Sequence, residues 1–409
     1  MSTTIRRTFV LTLLEPSTKK KRLAEDLLRR YRCALEFVVS SRAKASKVDL
    51  QRRFYRDVRS FGIPSMMSSY LFGDAVPILK TGGTVGNVTL PYNIPRSGGI
   101  TETKRGNPIL SIRVTKERIA IPIDANGAFA RFKESLVAGW RPKAFRLSAD
   151  KAFVVTEKHF AVKTDQRGYD SVIGIDVGVK RLAALSVLDM EGGVLKQLYL
   201  GQDVGDRQRD LSVRRSKLVS YREKGSRYAK QALGRLRRYE SDFTKTRSHQ
   251  IAHEIISLAK KYNAFIAVEE LRNLYQARGS RKSNRKSKRL PYSRFRAALE
   301  RLATQDGRLV VPVYPRGTSH ECSRCGSRGV RKGAAFTCYS CGYTANSDRN
   351  ASVNIARRAA FQRPKLPGQI SARNLQVMAG ALVHAGAEQD WLATMSRSED
   401  KPAESTTGS

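Results

Sequence analysis

The stretch from Ser171 to Val187, SVIGIDVGVKRLAALSV, constrains this chain more than any other. Val172, Ile173, Ile175, Val177 and Val179 form an apolar run of strand length, and Ala183, Ala184, Leu185 and Val187 form a second one directly after it. One carboxylate, Asp176, sits inside this pair, with Gly174 and Gly178 on either side. A charge taken out of water loses several kcal/mol of hydration, so a buried Asp176 calls for a compensating divalent cation. Glycine at 178 would leave a bulky phosphodiester room to approach that cation. An aspartate exposed at a strand end fits the same letters, and the stretch alone leaves both readings open.

Charge narrows the choice. Lys and Arg number 76 against 36 Asp and Glu, a formal +40, and the pI is near 10.5. Such a surplus makes a compact state repel itself unless a polyanion is bound, and nucleic acid is the commonest one. Hydrophobic residues at 40% of 409 keep the chain in the globular class, with room for about two or three domains. No apolar stretch approaches the roughly 18 residues needed to span a bilayer, and no signal-like segment follows Met1. The expectation is an intracellular protein with no membrane partner.

Four of the five cysteines cluster as Cys322-x2-Cys325 and Cys338-x2-Cys341, while Cys33 stands alone in a helical pattern. Two such knuckles match tetrahedral zinc, and without a secretory segment disulfides are disfavoured. Gly326 and Gly342 follow the second cysteine of each pair, where a knuckle needs positive φ. Four protein ligands leave no open coordination position, so this zinc is structural and catalysis must lie elsewhere.

Taken in order, the chain opens with a strand over Arg6 to Leu14. A basic amphipathic helix follows from Ser17 to about Ala45, then a second from about Lys47 to Arg59, stopped by Gly62 and Pro64. From Gly86 to Val162 the text turns to strands and reads as a β-barrel or sandwich with the helices inserted after its first strand. Beyond the Asp176 pair little strand character is visible. Arg207 to Tyr239 holds twelve Lys or Arg against Asp210 and Glu223, with a thin apolar seam of Leu211, Leu218, Tyr221, Tyr228, Leu233 and Leu236. A solvated helix face mixes signs; this one does not, which points to phosphate neutralisation.

A helix around Ile251 to Ala259 leads into AFIAVEEL, a second buried run that ends in acid at Glu269 and Glu270. Adjacent strand residues face opposite ways, so only one can share a face with Asp176, and Glu269 is favoured. Arg272 to Arg289 carries eight Lys or Arg and no acid and reads as a mobile basic loop. Pro291 to Ala303 resumes as helix and Leu309 to Val313 as strand. After the cysteines, NSDRNASVNIARR reads as a short helix with Asp348 in or just before its first turn. Alone, Asp348 reads as a helix cap. Taken with Asp176 and Glu269 it completes a set of three acids able to hold two Mg2+ about 4 Å apart, the apparatus of RNase H and RuvC-type phosphodiester hydrolysis.

Together, GIDVGVKRLAAL, IAVEEL, TSHECSRCG, CYSCGY and DRNASVNIA resemble the RuvC-like half of TnpB, the transposon-encoded RNA-guided nuclease, and of the miniature type V CRISPR effectors similar to it. The likeness is specific from about Val172 to Ala356 and covers only the general plan before Ser171. It implies an α/β RNase H-like RuvC domain (171–317 and 346–361) with an inserted zinc ribbon (318–345). Before it would come a β-barrel wedge domain (1–15 and 84–165) carrying a helical recognition insert (16–83), and a partly disordered tail (362–409) would follow.

The resemblance further implies Asp176, Glu269 and Asp348 as catalytic ligands of two Mg2+, and Cys322, Cys325, Cys338 and Cys341 as ligands of structural Zn2+. Arg214, Arg215, Lys217, Arg222, Arg235, Arg237, Arg238, Arg281 and Lys282 are the expected nucleic-acid contacts. Partners would be a guide RNA and a double-stranded DNA target, in a bacterial or archaeal cytoplasm at the nucleoid, as monomer or homodimer. The implied activity is recognition of a short motif beside the target, duplex opening and cutting of DNA at a single RuvC site. The alternative is an inactive or accessory guided DNA-binding protein, a repressor or transposition accessory. The segment after Glu270 lacks the tryptophan-bearing helix common in the transposon proteins, which leaves the transposon and CRISPR branches both open.

Overall fold

The computed structural model describes residues 2–43, 46–115, 117–178, 181–270 and 291–361. The chain divides into two compact units, one spanning Thr4–His159 and the other beginning at Phe160. The basic loop with Arg281 and Lys282, and the tail 362–409, lie outside the described residues.

In the first unit, β1 (Ser2–Thr12) is followed by α1 (Thr18–Ser40), α2 (Lys47–Ser60) and α3 (Ser65–Thr81). Then come β2 (Leu90–Asn93), β3 (Gly98–Glu102), β4 (Pro108–Val114), β5 (Glu117–Pro122), α4 (Gly127–Val137), β6 (Arg141–Leu147) and β7 (Lys151–Ala161). The strands form two sheets, β1-β7-β6-β2 and β3-β4-β5, joined at one corner by a bridge between Leu13 and Ile123. One core, including Leu11, Tyr31, Phe72, Leu110 and Phe145, serves helices and sheets alike.

Two helices here depart from the sequence expectation. Pro64 does not end helical structure: it precedes α3, where a missing N–H costs nothing, and Met67, Leu71, Phe72 and Ala75 bury one face. Within the strand-rich stretch, α4 is capped by the Asn126 side chain and buries Phe129 and Phe132. The first helix also stops at Ser40, short of Ala45.

The second unit contains β8 (Ser171–Asp176), β9 (Ala183–Asp189), β10 (Val194–Leu200), α5 (Gln202–Glu223), α6 (Arg227–Lys261) and β11 (Ala264–Glu269). It continues with α7 (Tyr292–Gln305), β12 (Val310–Val313), the ribbon strands β13 (Val330–Lys332), β14 (Ala335–Thr337) and β15 (Thr344–Asn346), and α8 (Ser347–Ala360). Five strands lie in the order β10-β9-β8-β11-β12; β8, β11 and β12 are parallel and the first three antiparallel. The third strand, β10, falls where little strand character was expected. Its residues are half-buried or exposed, so its apolar pattern is weak, and pairing with β9 holds it.

Alternation along β8 and β11 sends side chains to two faces. Ile173, Ile175, Ile266 and Val268 pack against α6 and α7, whereas Val172, Phe265 and Ala267 pack against α8. That second face is the one on which Asp176 and Glu269 continue the alternation. Among the described residues no helix is long and apolar enough to cross a membrane.

Candidate active site

Asp176 and Glu269 are the last residues of two neighbouring parallel strands, one position beyond the registered pair Ile175 and Val268. Both are buried, at 9% and 6% exposure. Burial first, then the charges of Glu269 and Asp348, push the Asp176 carboxyl up to about 8, with Arg331 opposing. Burial raises Glu269 as well, against the Thr318 hydroxyl and the more distant Arg358 and Arg331.

Asp348 enters from α8. Asn346 is the N-cap: its side-chain oxygen accepts from the backbone N–H of Asp348 at 3.0 Å and of Arg349 at 3.4 Å. The capping task is therefore taken, and the Asp348 carboxylate is free to face the site; the cap reading of Asp348 is corrected by two residues. Its Oδ1 accepts from Arg331 Nη2 at 3.1 Å. Among the described residues the only set of three or more ligating atoms all within 4.8 Å of one another is the cysteine quartet, so the acids stand wider apart than a single-ion cage.

Two further residues shape the site, and sequence reasoning assigned neither. Thr318 is buried and donates through Oγ1 to Glu269 Oε1 at 2.5 Å. Arg331 comes from the ribbon. Thr318 lay within the quoted TSHECSRCG motif, but nothing local to the sequence marks Arg331 as neighbour to Asp348.

The four cysteines meet in the ribbon, with Cys322 and Cys341 sulfurs 3.7 Å apart and Cys325 and Cys338 sulfurs 3.6 Å apart. These gaps are far too long for disulfides. A tetrahedral ion with metal–sulfur bonds of about 2.3 Å would set sulfurs about 3.8 Å apart, so the quartet fits such an ion. Gly326 and Gly342 adopt φ of 77° and 67°, as the knuckles require.

The ribbon is fastened to α8. Asn354 Nδ2 donates to the carbonyls of Thr318 and Glu321, and Asn350 receives the Ser323 N–H while donating to Glu321.

Of the expected nucleic-acid contacts, Arg214, Lys217, Arg222, Arg235, Arg237 and Arg238 are exposed on α5 and α6. Arg215 is instead ion-paired with Glu240, which offsets its charge. Tyr221 and Tyr228, expected in the apolar seam, are exposed at 58% and 72%.

Comparison with known proteins agrees with this architecture. A RuvC nuclease domain model matches residues 156–299, and a Cas12f1-like TNB domain model matches residues 292–355. The CRISPR-associated endodeoxyribonuclease Cas12f1 of Sulfoacidibacillus thermotolerans is 25% identical over 271 residues, 61% of this chain and 61% of that protein. A TnpB-like protein of Methanocaldococcus jannaschii is 24% identical over 267 residues, 59% of this chain and 90% of its own length. These matches support a TnpB-like miniature type V effector. The fold agrees with these matches. A Cas12f1-sgRNA-target DNA complex superposes with a TM-score of 0.57 at 17% identity, over 85% of this chain and 83% of that one. A mini-RNA-guided endonuclease, CRISPR-Cas phi3, gives 0.56 at 12% identity over 89% and 94%.

Proposed function

We propose that this chain is a guided DNA endonuclease: it takes up a guide RNA, recognises a short motif beside its target, opens the duplex and hydrolyses DNA at one RuvC site. The observation that carries the reading is the convergence of Asp176, Glu269 and Asp348 at one end of the sheet, where burial and mutual repulsion push the Asp176 carboxyl up to about 8. An acid kept so far from its ordinary range has use for a cation.

The three carboxylates would hold two Mg2+, and these ions, when bound, supply an activated water and stabilise the leaving 3′ oxygen. Burial of Asp176 and Glu269 limits their contact with bulk water. Thr318 fixes the orientation of Glu269 through its hydroxyl. Arg331, engaged with Asp348, is placed to meet a phosphate oxygen of a strand lying across the acids. The cysteine quartet would hold structural Zn2+ and so anchor the ribbon that carries Arg331.

The exposed cations of α5 and α6 suit a guide–target heteroduplex gripped by its backbone, and the formal +40 balances such a polyanion. By this reading the unit Thr4–His159 supplies the wedge and recognition parts, and the protein is cytoplasmic and nucleoid-associated. The Cas12f1 relative is spanned over 61% of its length, so its activity passes to this chain as part of the proposal.

The test is cleavage of a plasmid by full chain co-expressed with the RNA encoded beside it. Cutting should require Mg2+ and vanish in Asp176→Ala while RNA and target binding persist. Cleavage by that variant at the wild-type rate would sink the assignment.

A further inference from the structure

Beside the acids lies a second arrangement that the proposed chemistry does not use. Asp176 is registered with Ala184 on β9, and Ala184 with Tyr199 on β10. Residues opposite one another across a sheet project to the same face. Tyr199 therefore shares a face and a row with Asp176, two strand spacings or about 10 Å away.

Two guanidinium groups lie against the Tyr199 ring. Arg181 is 3.8 Å from the ring centroid and Arg349 is 5.0 Å from it, so the two cations are within about 9 Å of each other. Arg181 comes from the turn between β8 and β9, and Arg349 directly follows Asp348 in the first turn of α8. Neither forms an ion pair among the described residues, and the cation engaged with Asp348 is Arg331. Like charges gathered without a carboxylate partner repel, and the aromatic face offsets only part of that. An anion completes the set.

The ring steadies both guanidinium groups and leaves N–H edges to donate, a geometry that matches phosphate oxygens. Resting on the nuclease reading above, we propose that Arg181, Tyr199 and Arg349 form a cradle for a backbone phosphate of the DNA strand being cut, adjacent to the scissile one. The distance to Asp176 favours the substrate strand over the guide RNA. The cradle positions the strand; it takes no part in bond breaking.

The experiment compares wild type, Arg181→Gln, Arg349→Gln, the double glutamine variant and a double lysine variant, each as full chain with co-expressed RNA. Binding of a single-stranded DNA oligonucleotide is measured across a salt series without Mg2+ and without a chelator, so no cleavage enters the reading and the ribbon keeps its metal. Loss of this one phosphate contact should lower the logarithmic salt slope of the double glutamine variant by about 0.7, with the lysine pair restoring it. In Mg2+ the double glutamine variant should show KM for target DNA raised about tenfold with kcat little changed, a loss of uniform binding.

An unchanged slope in the double glutamine variant, a loss that lysine does not repair, or a loss seen only with an RNA oligonucleotide would overturn the cradle. Should the double variant fail to fold, the single variants, each losing about half the effect, decide the matter. If the wild type binds DNA but never cuts it, the nuclease reading fails while the salt slope still decides the cradle.

Discussion

Gly174 of β8 lies directly against Ser352 of α8: a Cβ added to the glycine would sit 2.0 Å from the Ser352 carbonyl oxygen and 2.8 Å from the Ala356 Cβ. At Gly174 the helix bearing Asp348 thus rests directly on the backbone of the strand bearing Asp176. Backbone cannot yield as a flexible side chain can. We expect Gly174→Ala to cost about 1–3 kcal/mol by overpacking and to lower cleavage further by moving Asp348 off the site. Thermal melting and target cutting check the two effects separately; a variant with wild-type melting and rate would contradict the close contact.

Asp176→Asn should abolish cutting yet stabilise the metal-free protein. The folded Asp176 carboxyl is raised from 3.8 to about 8, so the native state holds the extra proton between those values. Stability is then intact at low pH and is lost as pH climbs through that window. The melting temperatures of wild type and variant should agree near pH 4 and diverge toward pH 8, the variant being higher. Added Mg2+ should close the gap by stabilising only the wild type. A constant difference across the range would disprove a titrating Asp176.

Removing the ribbon metal should unfold the ribbon before the sheet. Its core is little more than Cys322, Phe336 and Cys338, with Cys341 and Tyr343 packed alongside, too little apolar surface to stand by itself. A chelator, or Cys338→Ser, should speed proteolysis within 318–346 and depress cleavage, because Arg331 and Thr318 lose their positions. Unchanged proteolysis on metal removal would count against a structural ion.

Asn354→Leu should destabilise by about 1–3 kcal/mol, since the buried amide donates to two carbonyls that would be left without it. The loss should extend to activity, because one of those carbonyls belongs to Thr318, whose hydroxyl holds Glu269. Denaturant unfolding alongside cleavage kinetics measures both, and full activity in a destabilised variant would uncouple the loop from the site.

Much of the sheet was legible from letters alone. A buried strand ending in acid declares itself, because few residues suit a fully buried run and a charge within it stands out; β8 and β11 follow that rule. The preference for Glu269 over Glu270 needed only the twofold period of a strand, and the alternation of Phe265 and Ala267 against α8 extends to Glu269. The strand β10 was missed because its residues are half-wet and held by pairing. The helix α3 was missed because Pro64 reads as a stop locally and serves as a start in context.

Asp348 shows the limit most plainly. Two polar residues near a helix start, Asn346 and Asp348, compete for one capping role, and composition cannot choose between them. The folded backbone gives that role to Asn346.

By itself the sequence determined the chemistry on offer: the acids, the cysteine spacing, the surplus of positive charge and the periodicities that bury one face of each element. These are local properties, set by residue type and by repeats of two or 3.6. Which side chains meet was decided only by tertiary structure. Arg331 reaches Asp348, Thr318 reaches Glu269, and Arg181 joins Arg349 on Tyr199 because strand order and the close seat of α8 on Gly174 bring distant segments together. Such contacts depend on packing across the whole unit, and no short window of sequence carries that information.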